Sequence, residues 1–209
     1  MGREEELRRL GQFLKPPKCT SQRIAVIYAT GGMGKTELVS EYAHQHRHEF
    51  SLIFWVAAAS REIVTATFQD AAQRMVTHYE KRARTSPVDY TRIGSELDIP
   101  GLIDAKGQVS DKPDDNGRIV AAVKSWLVGS GDYLVIFDNY DDLKSFDIED
   151  FMPICSSGSI IITTRRPENR DLGTSQMELG EMDEDSAVKL FMKVSGSHNE
   201  HGGFVIDTR

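Results

Sequence analysis

The sequence predicts a three-layer α/β/α fold with a central, mostly parallel five-stranded sheet. Short apolar segments alternate along the chain with longer segments in which apolar residues recur at three- and four-residue spacing. Such alternation is typical of strands that are covered on both faces by helices. The first strand also runs directly into a glycine-rich turn and a helix, and this arrangement typically binds an anion at the N-terminus of the helix.

The composition limits the number of domains and the kinds of partner. The chain of 209 residues suffices for one well-buried domain, which we place at residues 1–195, with a disordered tail at 196–209. The net charge of −7 argues against a nucleic-acid surface, because binding to phosphate backbones requires a basic patch. Cys19 and Cys155 have no metal-ligand spacing, and no segment resembles a signal sequence or a membrane span. We therefore expect a cytoplasmic protein that binds neither nucleic acid nor membrane.

The first predicted elements are an amphipathic helix, a strand and a second helix. The first helix carries acids in its first turn and ends before Pro16. Its apolar face consists of Leu7, Leu10, Phe13 and Leu14. A strand near residues 23–28 follows, and the helix after the glycine-rich turn continues to about Arg47.

The middle of the chain contains a strand, a long helix and a polar stretch. The apolar run from Leu52 to Ala57 predicts a strand buried on both faces, and Ser60 then caps a helix. The inner stripe of this helix consists of Val64, Phe68, Ala71, Met75 and Tyr79. Prolines, glycines and charges dominate residues 81–117, which indicates a mobile polar insertion, either a functional lid or an excursion of this lineage.

Three further strands and two helices complete the predicted domain. The first of these helices ends at Gly129, and its apolar positions are Ile119, Val123 and Trp126. Strands are predicted at residues 133–137, 159–164 and 176–179. Asp183 caps the last helix, whose predicted inner face consists of Ala187, Leu190, Phe191 and Val194.

The glycine-rich turn has the features of a nucleotide-binding phosphate loop. Its backbone N–H groups and the following helix N-terminus would surround a phosphate, Lys35 would reach the β- and γ-phosphates, and Thr36 would ligate Mg²⁺. The expected nucleotide contacts here are Thr30, Gly31, Gly32, Met33, Gly34, Lys35, Thr36 and Glu37. Ala29 stands where glycine is usual, and it fits without strain if its φ angle is negative. A tight turn that caps a helix without any ligand is the alternative.

Charged residues follow two of the predicted strands, at the edge where open parallel sheets bind ligands. Asp138 follows the strand at 133–137 and would hold Mg²⁺ together with Thr36. Arg165 follows the strand at 159–164 and would donate to the γ-phosphate. The two residues thus extend the nucleotide site beyond the loop.

The residue that would activate water for hydrolysis is left open by the sequence. An acid often follows the metal-binding carboxylate, but here that position is Asn139, which can orient water without accepting its proton. The step falls to Asp141, to Asp142 or to no residue, and both aspartates could instead cap the following turn. The candidate catalytic residues are therefore Lys35, Asp138, Asp141, Asp142 and Arg165.

In this order the motifs resemble the NB-ARC nucleotide-binding domain of NOD-like receptors, within the STAND class of P-loop NTPases. Gly2-Arg3-Glu4 is similar to the Gly-Arg-Glu element that opens such domains near the nucleotide. Phe137-Asp138-Asn139, followed by Asp141-Asp142, is similar to the fungal branch. The resemblance adds Gly2 and Arg3 to the expected nucleotide-binding residues.

The resemblance implies a switch that binds ATP and ADP with Mg²⁺ and hydrolyses ATP slowly. In such proteins ADP holds a closed monomer, and ATP permits self-oligomerisation of a longer receptor that signals innate immunity or cell death. These domains continue into a helical subdomain that touches adenine and a winged helix that holds ADP. The chain as given supplies neither, so we expect a monomer with an open site and weak selectivity for adenine. Two alternatives remain: a catalyst such as a nucleotide phosphatase or small kinase, and a scaffold that binds no nucleotide.

Overall fold

The computed structural model describes residues 2–15, 22–83, 87–142, 144–154 and 158–194. Cys19, Cys155 and the predicted tail at 196–209 lie outside these residues. The helices are α1 (Glu4–Leu14), α2 (Lys35–Gln45), α3 (Arg61–Arg82), α4 (Tyr90–Glu96), α5 (Asn116–Gly129) and α6 (Glu184–Val194). Short 3₁₀ helices lie at Pro113–Asp115, Ile148–Phe151 and Pro167–Leu172. No helix within the described ranges is long and apolar enough to cross a membrane.

The central sheet confirms the predicted α/β class. Its strands are β1 (Arg23–Tyr28), β2 (Leu52–Ala57), β3 (Tyr133–Asp138), β4 (Ser159–Thr164) and β5 (Ser175–Glu178). They are ordered β2-β3-β4-β1-β5, and every pairing between them is parallel. The carboxyl ends of β1, β3 and β4 therefore lie side by side at one edge, the edge at which open parallel sheets bind ligands.

Alternate residues of each central strand enter opposite halves of the core. In β1, Ala25 and Ile27 pack with α1 and α2, whereas Val26 packs with the apolar residues of α3 and α5. In β3, Leu134 and Ile136 likewise face the α1 and α2 side. This period of two on a sheet covered on both faces produces the predicted three layers.

Strand β2 is not buried on both faces as its apolar run predicts. Only Val56 is fully buried among its residues, and the Trp55 side chain is 36% exposed. The reason is position: β2 pairs with β3 alone and forms an edge of the sheet, whereas β3 and β4 have neighbours on both sides. An apolar run cannot by itself distinguish a central strand from an edge strand.

The predicted mobile insertion at 81–117 is a folded part of the domain where the structure describes it. Its first residues belong to α3, and α4 begins at an Asp89 cap that accepts a hydrogen bond from the Arg92 N–H at 3.0 Å. The buried apolar residues of this segment are Ile93, Leu97, Ile99 and Leu102. Gln73 of α3 secures the loop that follows, donating to Gly107 O and accepting from Val109 N–H, both at 2.9 Å. The sequence shows only weak apolar periodicity here, because prolines, glycines and charges interrupt it, yet these apolar residues join the core cluster that contains α3.

Helix α6 differs from the prediction on its apolar side. Asp183 caps it as expected, accepting from the Ser186 N–H at 2.9 Å. However, Ala187 is exposed, Leu190 is half-buried and Phe191 is 72% exposed. These side chains border an open cavity over the phosphate loop rather than the core. Among the described residues, no second layer covers this apolar face.

Candidate functional site

The phosphate loop joins the end of β1 to the start of α2. Gly32 and Gly34 have φ angles of 80° and 84°, values that residues with a Cβ rarely adopt, so the turn requires glycine at both positions. Apart from glycines, only Asp98 and Asn139 have positive φ angles among the described residues. Ala29 therefore fits the loop without strain, and the departure from the usual glycine is of little consequence.

Lys35, the first residue of α2, lies beneath the loop. Its Nζ donates to Ala29 O at 2.8 Å and to Thr30 O at 3.0 Å, and only 8% of the residue is exposed. Burial lowers the pKa of this ammonium, and the nearby Asp141 carboxylate partly opposes that effect. Because an ammonium has three donors, one remains for a phosphate oxygen.

Thr36 and Asp138 converge from the loop and from the end of β3. The Thr36 hydroxyl donates to the Asp138 carboxylate at 3.0 Å to Oδ1 and 3.2 Å to Oδ2. Thr163 of β4 also donates to Oδ1, at 2.5 Å, and its hydroxyl accepts from the Asn139 N–H at 2.9 Å. Thr163 thus orients Asp138 toward the loop, a role that the sequence did not reveal.

The oxygen atoms of Thr36 and Asp138 fit an Mg²⁺ ion whose remaining ligands are phosphate oxygens and water. One hydroxyl and one carboxylate are the protein ligands that Mg²⁺ typically takes when phosphate oxygens and waters supply the rest. Nowhere in the described part of the chain do three or more His, Cys, Asp or Glu side chains cluster so that they could hold a metal ion. Thr36 and Asp138 would therefore bind the ion together with phosphate.

Asp141 and Arg165 form an ion pair beside the loop. Asp141 Oδ1 accepts from the Arg165 backbone N–H at 2.6 Å, and Oδ2 lies 3.1 Å from Arg165 Nε. The guanidinium carbon of Arg165 is 3.7 Å from the point where a Cβ on Gly31 would lie. The structure therefore brings Lys35, Asp138, Asp141 and Arg165 to one place.

Asp142 and Asn139 take different positions after β3. Asp142 faces the following turn, where Oδ1 accepts from the Lys144 N–H at 3.0 Å, and it does not border the cavity. This is the turn-capping alternative for Asp142. Asn139 is exposed and borders the cavity with a φ angle of 68°, a left-handed conformation that asparagine tolerates better than most residues.

The amino-terminal segment reaches the site from outside the sheet. Arg3 Nη2 donates to Gly180 O at 2.8 Å and to Met33 O at 3.3 Å, so Arg3 ties the phosphate loop to the segment before α6. Gly2 has a φ angle of 74°, and a Cβ on it would lie 2.6 Å from Ser186 Cβ of α6. Gly2 is therefore a packing position, whereas Arg3 borders the cavity.

These groups surround an open cavity of about 1000 Å³, which is large enough for a nucleotide. Its polar side holds Gly31 to Thr36 of the phosphate loop, Glu37, Asn139 and Arg165. The predicted site residues that do not line it are Gly2, Thr30, Asp138, Asp141 and Asp142, although Asp138 is bonded to the lining residues Thr36 and Thr163. The lining residues that the sequence did not assign to the site are Leu7, Leu38, Ser40, Glu41, Thr163, Glu181, Met182, Ala187, Leu190 and Phe191. The two threonines before Arg165 are the one sequence signal that could have indicated Thr163.

Comparisons with known proteins agree with this geometry. Residues 1–150 match the family described as the AAA ATPase domain. Among solved structures, Cdc6p from Pyrobaculum aerophilum has a TM-score of 0.54 at 11% identity, covering 93% of this chain and 49% of its own. A Walker-type ATPase from Pyrococcus abyssi has a TM-score of 0.51 at 13% identity, covering 92% of this chain and 58% of its own. No curated protein sequence matches the chain.

At these identities the two structures are similar in fold alone, and this chain spans about half the length of each. The family match covers well over half of the chain and includes both the phosphate loop and Asp138. The chain therefore belongs to the AAA ATPase domain family and is a P-loop NTPase domain that binds adenine nucleotides.

Proposed function

We propose that the chain is the nucleotide-binding core of an NB-ARC-type switch, which binds ADP and Mg²⁺-ATP, distinguishes them and hydrolyses ATP slowly. One observation supports this most strongly. Lys35, Thr36 and Arg165 line one cavity, Asp138 is hydrogen-bonded to Thr36, and the position after Asp138 holds Asn139. The site therefore has groups for the β- and γ-phosphates and no acid directly after the metal carboxylate.

Each group has a distinct task in the proposed binding mode. The loop N–H groups and Lys35 would hold the β-phosphate, and Arg165 would contact the γ-phosphate, the one group by which ATP differs from ADP. Thr36 and Asp138 would bind Mg²⁺, which neutralises charge on the β- and γ-phosphates. Glu37 and Arg3 border the same cavity and complete the polar wall.

Slow hydrolysis follows from how the acidic groups are used. Asn139 can orient a water molecule but cannot accept its proton. Asp141 is the next acid along the chain after Asn139. However, both of its carboxylate oxygens contact Arg165, and it does not line the cavity. Asp138 is held by two threonine hydroxyls. A site of this kind favours residence in a nucleotide-bound state over rapid turnover.

The proposal includes a place in a larger receptor. Arg3 connects the phosphate loop with the segment before α6, so a change at the loop can be transmitted to that helix and to whatever domain follows it. In a NOD-like receptor of the cytoplasm, ADP would hold the monomer and ATP would permit self-oligomerisation. The half-buried and exposed apolar residues of α6 support contact with a further domain.

The test is to incubate the purified chain with Mg²⁺ and ATP and to separate ATP, ADP, AMP and adenosine over time. We expect slow formation of ADP only, far below the roughly 10 s⁻¹ typical of enzymes, together with measurable ADP binding. Stepwise loss of several phosphates that survives Lys35→Ala would contradict the proposal and indicate a nucleotide phosphatase. Failure of ATP and ADP to raise the melting temperature would contradict it in favour of a scaffold.

A further inference from the structure

Asp141 and Arg165 are joined twice, through the backbone and through the side chain. One carboxylate oxygen accepts from the Arg165 backbone N–H at 2.6 Å, and the other lies 3.1 Å from Nε. Asp141 is also held from below, since Thr164 Oγ1 lies 3.4 Å from Oδ1 and Arg166 Nε donates to Asp141 O at 3.3 Å. The Asp141 carboxylate thus holds Arg165 through two contacts and is itself held by neighbouring residues.

The residues that hold Asp141 are hydrogen-bonded to buried residues of the core. Thr164 Oγ1 accepts from the side-chain amide of Asn169 at 2.9 Å, and the same amide donates to Tyr140 O at 2.8 Å. Asn169 is fully buried, and Thr164 is as well. This network joins the end of β3 to the end of β4 and leaves Asp141 little freedom to move.

The contact at Nε leaves the terminal nitrogens of the Arg165 guanidinium available beside the phosphate loop. Arginine has five N–H donors in a rigid plane, and a bond at Nε leaves the two terminal nitrogens available. Among the described residues, Nη1 and Nη2 make no hydrogen bond or ion pair, and Nη1 lies 3.8 Å from the point where a Cβ on Gly31 would be. Cζ lies 3.7 Å and Nε 3.8 Å from the same point, so the plane of the guanidinium lies against Gly31, and its two terminal nitrogens remain available beside the loop that receives the phosphates.

We propose that Asp141 is a positioning residue that holds the Arg165 guanidinium so that its terminal nitrogens recognise the γ-phosphate, which makes Asp141 a determinant of the preference for ATP over ADP. This inference rests on the proposed nucleotide switch. It gives Asp141 a role distinct from water activation. It also explains why an aspartate, with two acceptor oxygens, suits a position at which one residue must accept from both the backbone and the side chain of Arg165.

The experiment measures Kd for ADP and for a non-hydrolysable ATP analogue, each with Mg²⁺, by calorimetry on the full chain. Asp141→Asn keeps an acceptor for the Arg165 N–H but places a non-ionic amide at Nε. We expect its ATP-analogue affinity to fall about tenfold, as for a weakened charge-assisted hydrogen bond, with a change in ADP affinity of less than about twofold. The matched control is Asp150→Asn, which breaks an Asp–Arg pair of 3.2 Å with Arg61 away from the cavity and should leave both affinities unchanged.

A double-mutant cycle separates positioning from a merely structural effect. In an Arg165→Ala background, Asp141→Asn should change the ATP-to-ADP affinity ratio no further, because the group that it positions is gone. Arg165→Lys provides a second test if Asp141→Asn folds poorly, since lysine keeps the charge but has no Nε, and it should lose the ATP preference too.

The outcomes distinguish this inference from the function on which it rests. A wild-type chain that binds neither nucleotide would contradict both. A wild-type chain that binds both, with an unchanged ATP-to-ADP ratio in Asp141→Asn or Arg165→Lys, would overturn only the role of Asp141. Tighter ATP binding in Asp141→Asn would also overturn it, because Asp141 would then withhold Arg165 from the phosphate.

Discussion

Replacing Lys35 by alanine should remove most nucleotide binding while leaving the fold in place. The ammonium supplies charge-assisted hydrogen bonds to phosphate, each worth about 1.5–3 kcal/mol, so loss of one such bond near the upper end weakens binding roughly 100-fold. In the nucleotide-free chain two opposing effects accompany the change. The variant loses the bonds to Ala29 O and Thr30 O, but it also removes a buried charge whose pKa is lowered by desolvation. We therefore expect a change in unfolding free energy of no more than about 1 kcal/mol.

Thermal unfolding with and without ATP and Mg²⁺ provides the assay. At 100 times Kd a ligand stabilises the wild type by about 2.7 kcal/mol, which for a chain of 209 residues raises Tm by roughly 5–11 °C. With Kd raised 100-fold, the same ATP concentration stabilises the variant by only about 0.4 kcal/mol, or roughly 1–2 °C.

Lys124→Ala is the matched control for this experiment. Lys124 is also a partly buried lysine that donates to a backbone carbonyl, Asp150 O at 2.7 Å, and burial lowers its pKa too. It lies outside the cavity, so its replacement should leave the ATP-dependent shift of Tm intact. A full wild-type shift in Lys35→Ala would refute the reasoning, because the loop would then not be the phosphate site.

Three further predictions concern hydrolysis, the orientation of Asp138 and the core. Asn139→Asp should raise ATP turnover at least about tenfold in a phosphate-release assay, since general-base catalysis contributes about 10²–10⁴; an unchanged rate would show that Asn139 does not limit hydrolysis. Thr163→Val should lower the unfolding free energy by about 1–3 kcal/mol in urea titration, because the Thr163 hydroxyl, in a residue that is 1% exposed, accepts from the Asn139 N–H and donates to Asp138; an unchanged midpoint would contradict this. Tyr42→Phe should leave stability at neutral pH equal or higher, since the Tyr42 hydroxyl is buried with no partner among the described residues. Burial raises the Tyr42 pKa from 10 to about 12, so wild-type stability falls as pH rises through that range, and a variant with the same alkaline loss would argue against that pKa.

Local sequence patterns predicted the limits of a strand well where those limits depend only on neighbouring residues in the chain. The strand limits at 23–28, 52–57 and 159–164 agree with the structure, because continuous apolar runs between turn residues leave little choice of boundary. The stripe on α3 was predicted less accurately. Val64, Phe68 and Met75 are buried, but Ala71 and Tyr79 are only partly so, and Ala72 and Val76 take their place in the core. This helix packs against both the sheet and α5, so its buried face is wider than one stripe.

The candidate site shows the same difference between local patterns and distant contacts. The phosphate loop could be predicted because its strand, turn and helix are contiguous in the sequence. Asp138 and Arg165 could be proposed as site residues because each directly follows an apolar strand. The contact between Asp141 and Arg165 spans 24 positions, and that between Arg3 and Gly180 spans 177. No periodicity in the sequence encodes such pairs.

The sequence by itself determined the fold class and the phosphate-binding loop, since both depend on neighbours in the chain and on the period of apolar residues. Only the tertiary structure decided that β2 is an edge strand, that residues 87–117 are folded, that the apolar side of α6 borders the cavity and that Asp141 pairs with Arg165. The physical reason is that each of these features depends on which distant elements meet. Burial and pairing between distant residues are properties of the packed chain, whereas strand and helix patterns are properties of a local segment.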